Sequence, residues 1–343
     1  MSRILKLICA ILLIMAFVLP ASAWSKRPKY LFKIATLAPE GSVWVKHFEN
    51  FTREIAEKSN GEIGFKIYMG GVMGDDRAMY RKMRIGQLQG GGFTMTGISE
   101  VVPDFRVMGI PFLMKTYDEV DRVSKSLFPI FQKEFADNGL VLLAMTEVGF
   151  IYTMSTEPMT TLAELRRRKC WAPDNDLVSR AYLEDLGVTP VPLAIPDVLP
   201  SLQTGLINTV FNGFYGSIIM QWFTSTKYII DVPFGYAYGG LVFSKEAYDK
   251  LPPDYVVLMR EQAEKHFAGL LVDTRKSNDE AFSVLLAKGA QMVKPDNGSL
   301  DMLHQQRAVT VERLNGNVFS KEIYDAAIRA LEQGGDGKTV QSR

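Results

Sequence analysis

The chain has 343 residues, with 39 lysines and arginines against 38 aspartates and glutamates, for a formal net charge of +1. So even a balance leaves no electrostatic footprint for nucleic acid, which is excluded as an expected partner. The length also exceeds what a single hydrophobic core organises well, and points to two lobes.

Residues 1–6 carry Arg3 and Lys6 and no acid, residues 7–19 are almost wholly apolar, and Ala21-Ser22-Ala23 supplies the small residues that a signal peptidase accepts. This is the three-part pattern of a signal peptide at 1–23, cleaved after Ala23, and it implies export to the periplasm. The apolar stretch is short for a bilayer span. Cys9 lies at the start of that stretch, so lipidation is not expected. Cys170 is then the one remaining thiol; it cannot form an internal disulfide, and beside Trp171 it reads as a small buried hydrophobe.

In chain order, residues 31–37 alternate as a strand, and Ser42 opens a helix whose Trp44, Phe48, Phe51 and Ile55 recur at helical spacing. Asn60-Gly61 ends it. A strand follows at 63–68, a glycine-rich turn, a helix opened by Asp75 or Asp76, and a strand at 92–96. A helix over 117–135 leads to two strands, 140–146 and 148–155. This strand–helix alternation marks an open α/β sheet. A second unit begins with the capping box Thr161/Glu164, then a strand at 169–172 and a helix capped by Asp174 or Asp176. Residues 189–193 form an edge strand, 196–206 a helix and 207–211 a strand. The run IIDVPFGYAYGGLVFS reads as a strand pair around a turn. From Pro252-Pro253 one helical pattern continues to about residue 288, followed by helices from Ser299 and Ser320 and a disordered tail at 334–343.

Catalytic chemistry is poorly represented. His47, His266 and His304 are isolated, and no HExxH, GxSxG or P-loop pattern occurs, so no catalytic residue, metal or cofactor is expected. The GQLQGGG segment at 86–92 precedes a strand rather than a helix, which favours turn chemistry over phosphate binding. Asp174-Asn175-Asp176 offers oxygen ligands for a hard cation, but further ligands are missing nearby and helix capping is the better reading. The cluster Arg166-Arg167-Arg168-Lys169 reads as a solvated helix end. By contrast, aromatic residues crowd the strand ends and turns of the second unit: Phe150, Tyr152, Trp171, Phe211, Phe214, Tyr215, Trp222, Tyr236 and Tyr238, with Trp44 opposite. Any one such residue is usually core; several at loop–strand junctions of a two-lobed protein line a cleft.

From about residue 32 to 290 the chain resembles the substrate-binding subunits of tripartite ATP-independent periplasmic (TRAP) transporters, the DctP-like family. The resemblance is carried by IATLAPEGSVW, YMGGVMGDD, MGIPFL, LRRRKCWAPDND and IPDVLPSLQTGLINTVFNG, in that order and spacing. It implies a two-lobed, type II-like periplasmic binding protein of α/β class, its lobes joined by crossing strands and braced by a long helix. Lobe I is expected at 24–149 with about 237–270, and lobe II at 150–236 with about 271–320. The implied activity is that of a monomeric, non-enzymatic receptor for a small ligand, working with TRAP-type membrane permease subunits. A lipid or hydrophobe carrier or sensor on the same fold is the alternative.

In that family an arginine on the strand matching KCWAP clamps a carboxylate, a task that needs a planar fork. Here the position holds Trp171. A second arginine found in binders of acidic sugars matches Ile151, and the acid that usually precedes the assisting asparagine, Asn212, is Asn208. Asp174 adds a negative charge. The expected site is therefore Trp44, Phe150, Trp171, Asp174, Phe211, Asn212, Tyr215 and Tyr236, around a neutral ligand that is apolar, aromatic or amphipathic. A clamp restored by Arg106 or Arg180 is the competing expectation.

Overall fold

In the computed structural model, which describes residues 27–333, each element starts where the local chemistry directs; the expected signal peptide at 1–23 and tail at 334–343 lie outside the described residues. Strand β1 (Tyr30–Thr36) buries Phe32 and Ile34 on one face. The Ser42 hydroxyl accepts from the Val45 N–H and starts α1 (Val43–Lys58), which buries Phe48, Phe51 and Ile55. β2 (Ile63–Tyr68) runs parallel to β1. Asp75 caps α2 (Asp76–Arg84).

β3 (Gly90–Thr94) corrects two expectations. Its glycines are strand rather than turn: a Cβ would lie 2.6 Å from the Val242 oxygen at Gly90 and 2.2 Å from the Ala35 oxygen at Gly91. Only a residue without a side chain lets the neighbouring strands approach that closely. The strand also stops at Thr94 instead of 96, because the Thr94 hydroxyl accepts from the Gly97 N–H and starts the short α3 (Met95–Ile98). After a 3₁₀ turn at Pro103–Gly109, the Thr116/Glu119 capping box opens α4 (Tyr117–Asp137).

The largest difference concerns the strands that follow. β4 (Leu140–Ser155) is one strand of 16 residues where two were expected. The apparent break is a register shift between Glu147 and Gly149, with Gly149 at φ 112°. The capping box at Thr161 opens α5 (Leu162–Leu165). β5 (Trp171–Pro173) precedes α6 (Leu177–Asp185), which Asp176 caps. The edge strand β6 (Val191–Leu193) pairs with β5, α7 (Ile195–Thr204) stops at the left-handed Gly205, and β7 (Thr209–Asn212) leads into α8 (Phe214–Ile219). β8 (Tyr228–Ser244) is again a single strand, of 17 residues, and not a pair around a turn. α9 (Lys245–Tyr248) precedes the 35-residue α10 (Pro253–Ala287). β9 (Gln291–Val293), α11 (Asn297–Leu314) and α12 (Lys321–Glu332) complete the described chain.

The main sheet has the order β2–β1–β3–β8–β4–β7, with β9 also paired to β8. β4 and β8 pair antiparallel from Leu140/Ser244 at one end to Ser155/Tyr228 at the other, so both cross from one lobe to the other. First-lobe side chains pack on both faces of their part of the sheet, with Phe105, Phe131 and Phe135 on one and Phe51, Ile55 and Phe243 on the other. The second lobe is built around Cys170, Tyr182 and Leu183, and around Trp171, Val198 and Trp222. α10 contributes Phe267 and Leu270 to the first lobe and Leu285 to the second. α11 likewise packs Leu303 in the second lobe and Val311 and Leu314 in the first. No described helix is long and apolar enough to cross a membrane.

Candidate functional site

Where the lobes face each other they enclose a cavity of about 220 Å³. Trp44 comes from the first turn of α1, Thr146 to Val148 from the middle of β4, Gly235 to Gly239 from the middle of β8, and Trp171, Asp176, Phe211, Asn212 and Trp222 from the second lobe. Five expected site residues therefore share one space: Trp44, Trp171, Phe211, Asn212 and Tyr236.

Both indoles have their polar atom committed elsewhere. Trp44 Nε1 donates to the Glu147 carbonyl at 2.8 Å, and Trp171 Nε1 to the Leu193 carbonyl at 3.0 Å. What they offer the cavity is their apolar surface. Trp171 is held edge-on against Trp222, ring centroids 5.1 Å apart. Asn212 is buried and its Oδ1 accepts from the Gly213 N–H at 2.8 Å. Tyr236 is 3% exposed and its Oη is buried without a hydrogen-bond partner. Burial, reinforced by the nearby Glu147 charge, pushes its ionisation well above the usual tyrosine range.

Among the described lining residues there is no lysine, arginine or histidine; the ionisable acids are Glu147 and Asp176. Glu147 is 2% exposed, and Arg275 of α10 grips both its oxygens, Nε at 3.0 Å and Nη2 at 2.8 Å. Arg275 also donates to Asp121 through Nη1 at 3.1 Å. Asp176 is raised by desolvation, against the stabilising N–H of Ser179 at 3.0 Å. Neither expected replacement cation is part of the lining: Arg180 Nε donates to Glu184 at 2.8 Å, while Arg106 lies close enough to the lining Asp176 for their charges to interact, its Nη1 donating to the Val318 carbonyl at 3.2 Å and its Nε buried without a partner.

Three expected site residues stand outside the lining. Phe150 packs in the first-lobe core against Tyr117 and Tyr236, centroids 5.2 and 4.8 Å away. Asp174 sits at the mouth, 3.9 Å from Arg77 of α2. Tyr215 stands behind Trp44: its Oη accepts from the Val43 N–H at 2.9 Å, and the two rings lie 5.0 Å apart. It positions the indole instead of facing the cavity. Conversely, Phe234 lines the space although no expectation named it; Ile151, at the position matched to a second arginine, and Trp222, of the aromatic group, line it too. Phe234 was readable: it lies two residues before Tyr236 on one strand, and alternate residues share a face.

The family model for bacterial extracellular solute-binding proteins, family 7 (DctP), matches residues 34–312. A solute-binding protein of Chromohalobacter salexigens is 28% identical over 171 residues, 49% of this chain and 51% of its own length. The ectoine/5-hydroxyectoine-binding periplasmic protein UehA of Ruegeria pomeroyi is 25% identical over 272 residues, 77% of each chain. Among solved structures, the sugar acid binding protein DctPAm of Advenella mimigardefordensis in complex with galactonate superposes with a TM-score of 0.84 at 18% identity, covering 90% of this chain and 99% of its own. A TRAP periplasmic solute binding protein of Pseudomonas putida with bound D-glucuronate gives 0.81 at 21% identity, with coverages of 90% and 99%. Fold and family model agree: the chain belongs to the family 7 bacterial extracellular solute-binding proteins.

Proposed function

We propose that this chain is exported with cleavage after Ala23, captures a compact solute between its lobes and delivers it to TRAP-type membrane permease subunits. The solute is a ring-bearing molecule with no net negative charge, its face on Trp171 and its polar edge toward Asn212. One observation carries this choice: no cationic side chain lines the cavity among the described residues. A buried carboxylate without a partner costs several kcal/mol, roughly, in desolvation. A neutral ring avoids that cost, and a zwitterion brings its own counter-charge. The names of the relatives speak for organic acids and for ectoine, not for a purely apolar solute, so the broader apolar expectation narrows to this class. A volume of about 220 Å³ also suits a compact solute better than a lipid.

Calorimetry with ectoine, 5-hydroxyectoine, galactonate, glucuronate and succinate tests the reading. Binding is expected from the uncharged or zwitterionic rings, and Trp171→Ala should weaken it about tenfold or more. Micromolar binding of succinate or glucuronate that survives Trp171→Ala would overturn it. Small-angle scattering should show a smaller radius at saturation, as the ligand shifts the population toward the closed form; an unchanged radius refutes lobe closure.

A further inference from the structure

The second lobe holds another space, of about 50 Å³, directly behind the cavity wall. Its floor is one face of the sheet: Thr153 of β4, Phe211 of β7, and Ile230, Val232 and Phe234 of β8, at alternating positions along the strands. Met159, Leu162 and Leu165 cover it from one side, Leu303 of α11 and Phe112 from the other. Thr160, Thr161, Pro295 and Ser299 complete the lining, and the exposed Thr160 puts part of its rim at the surface, so the chamber is mainly apolar but not sealed.

Two rings separate this chamber from the main cavity, for Phe211 and Phe234 line both. Their centroids are 4.7 Å apart, and both side chains are only half-buried. Behind them Phe112 adopts φ 54°, a left-handed backbone conformation costly for a bulky residue, while its N–H donates to the Phe234 carbonyl at 3.0 Å. Strain of this kind persists where surrounding structure imposes it, and it concentrates at ligand clamps.

We infer that the chamber is a second subsite, which takes a short apolar substituent of the solute held in the main cavity when Phe211 and Phe234 part. This rests on the reading of the main cavity as a site for an uncharged ring. A dry cavity of about 150 Å³ accommodates benzene, so the chamber's share is about two carbons. The solute class is then a small ring bearing a methyl or ethyl group, and longer chains are rejected.

N-methyl-, N-ethyl- and N-butyl-2-pyrrolidone, three neutral rings with growing tails, test the inference by calorimetry. Affinity should rise about fourfold from methyl to ethyl and fall at butyl. Leu165→Phe and Val232→Leu each fill the chamber; whichever keeps the wild-type melting profile should abolish the methyl-to-ethyl gain. Crystals under xenon pressure should show a xenon atom among Met159, Leu162, Leu165 and Leu303. A flat series, undetectable binding of all three included, overturns the inference, as does a rise that the filled variants reproduce or a chamber that excludes xenon. Binding of sugar acids alone would instead remove the reading of the main cavity, while the xenon result still reports on the chamber.

Discussion

Behind the cavity, α10 grips the crossing strands through buried groups. Arg275 holds Glu147, and one turn on Asn278 donates to the Val148 carbonyl at 2.9 Å and accepts from the Tyr215 N–H at 3.1 Å. At the mouth the lobes meet through much less. Arg77 is committed to Glu100 and reaches Asp174 only at 3.9 Å, with these side chains 36–41% exposed. Gly71 faces Pro196, which a Cβ would approach to 3.6 Å. The back of the cleft is largely buried and densely paired around Glu147 and Asn278, with Tyr236 Oη left unpartnered, while the mouth is solvated and loosely paired. A receptor that opens and recloses needs this asymmetry: a pivot whose contacts survive the motion, and an edge whose contacts cost little to break.

The sharpest way to break the contrast is Arg275→Ala. It strands Glu147, 2% exposed, without its cation, and should cost about 3–5 kcal/mol by urea unfolding. A loss below about 1 kcal/mol would show that the back of the cleft is not the stronger end.

A second test uses pH at the base of the mouth. Asp76 is 7% exposed and accepts from Thr94 N at 3.1 Å and Thr94 Oγ1 at 2.6 Å. Desolvation, with the neighbouring Asp75 and Asp174 charges adding to it, raises it from 3.8 to about 7. The folded state therefore holds a proton that the unfolded chain has released between these two values, and stability falls as pH rises through that window. Asp76→Asn keeps both contacts with Thr94 available and should shrink the stability difference between pH 5 and pH 8 by about 2–3 kcal/mol. An unchanged difference would place the titration elsewhere.

The smallest effect is expected from Asp174→Ala. Unfolding free energy should stay within about 0.5 kcal/mol, because exposed pairs contribute little. What should change is kinetic: ligand release in stopped flow is expected to speed up about two- to threefold at low salt, and the difference should vanish at high salt. Equal release rates at low salt would remove Asp174 from the closing edge.

Local chemistry was legible in the sequence. The caps at Ser42, Asp75, Thr161, Asp176 and Ser320 all open helices, and β2 occupies residues 63–68 as its pattern indicated. The long crossing strands were not legible. Gly149 and Gly239-Gly240 look like turns in one dimension, yet a Cβ on Gly239 would lie 2.6 Å from the Phe93 oxygen. Its partner is more than a hundred residues away, and only the assembled sheet reveals why the side chain is missing. The site divided in the same way. Trp171 and Asn212, read from motif positions, line the cavity, whereas Phe150 and Tyr215 lie outside its lining, because aromatic crowding does not say which neighbour a ring faces.

The long β8 also has a consequence for how the chain is made. β3 pairs on one side with β1 and on the other with residues 239–243 of β8. During synthesis, which runs from the N-terminus, residues 95–238, with most of the second lobe among them, must emerge before those residues arrive. Until then any pairing of β1, β2 and β3 leaves the β3 border open, the kind of edge that recruits strands from other molecules. The side facing that gap is Gly90-Gly91-Gly92, a poor strand-former with little apolar surface to offer a stranger. The same glycines that admit Val242 in the finished protein thus leave the nascent border unattractive while it waits.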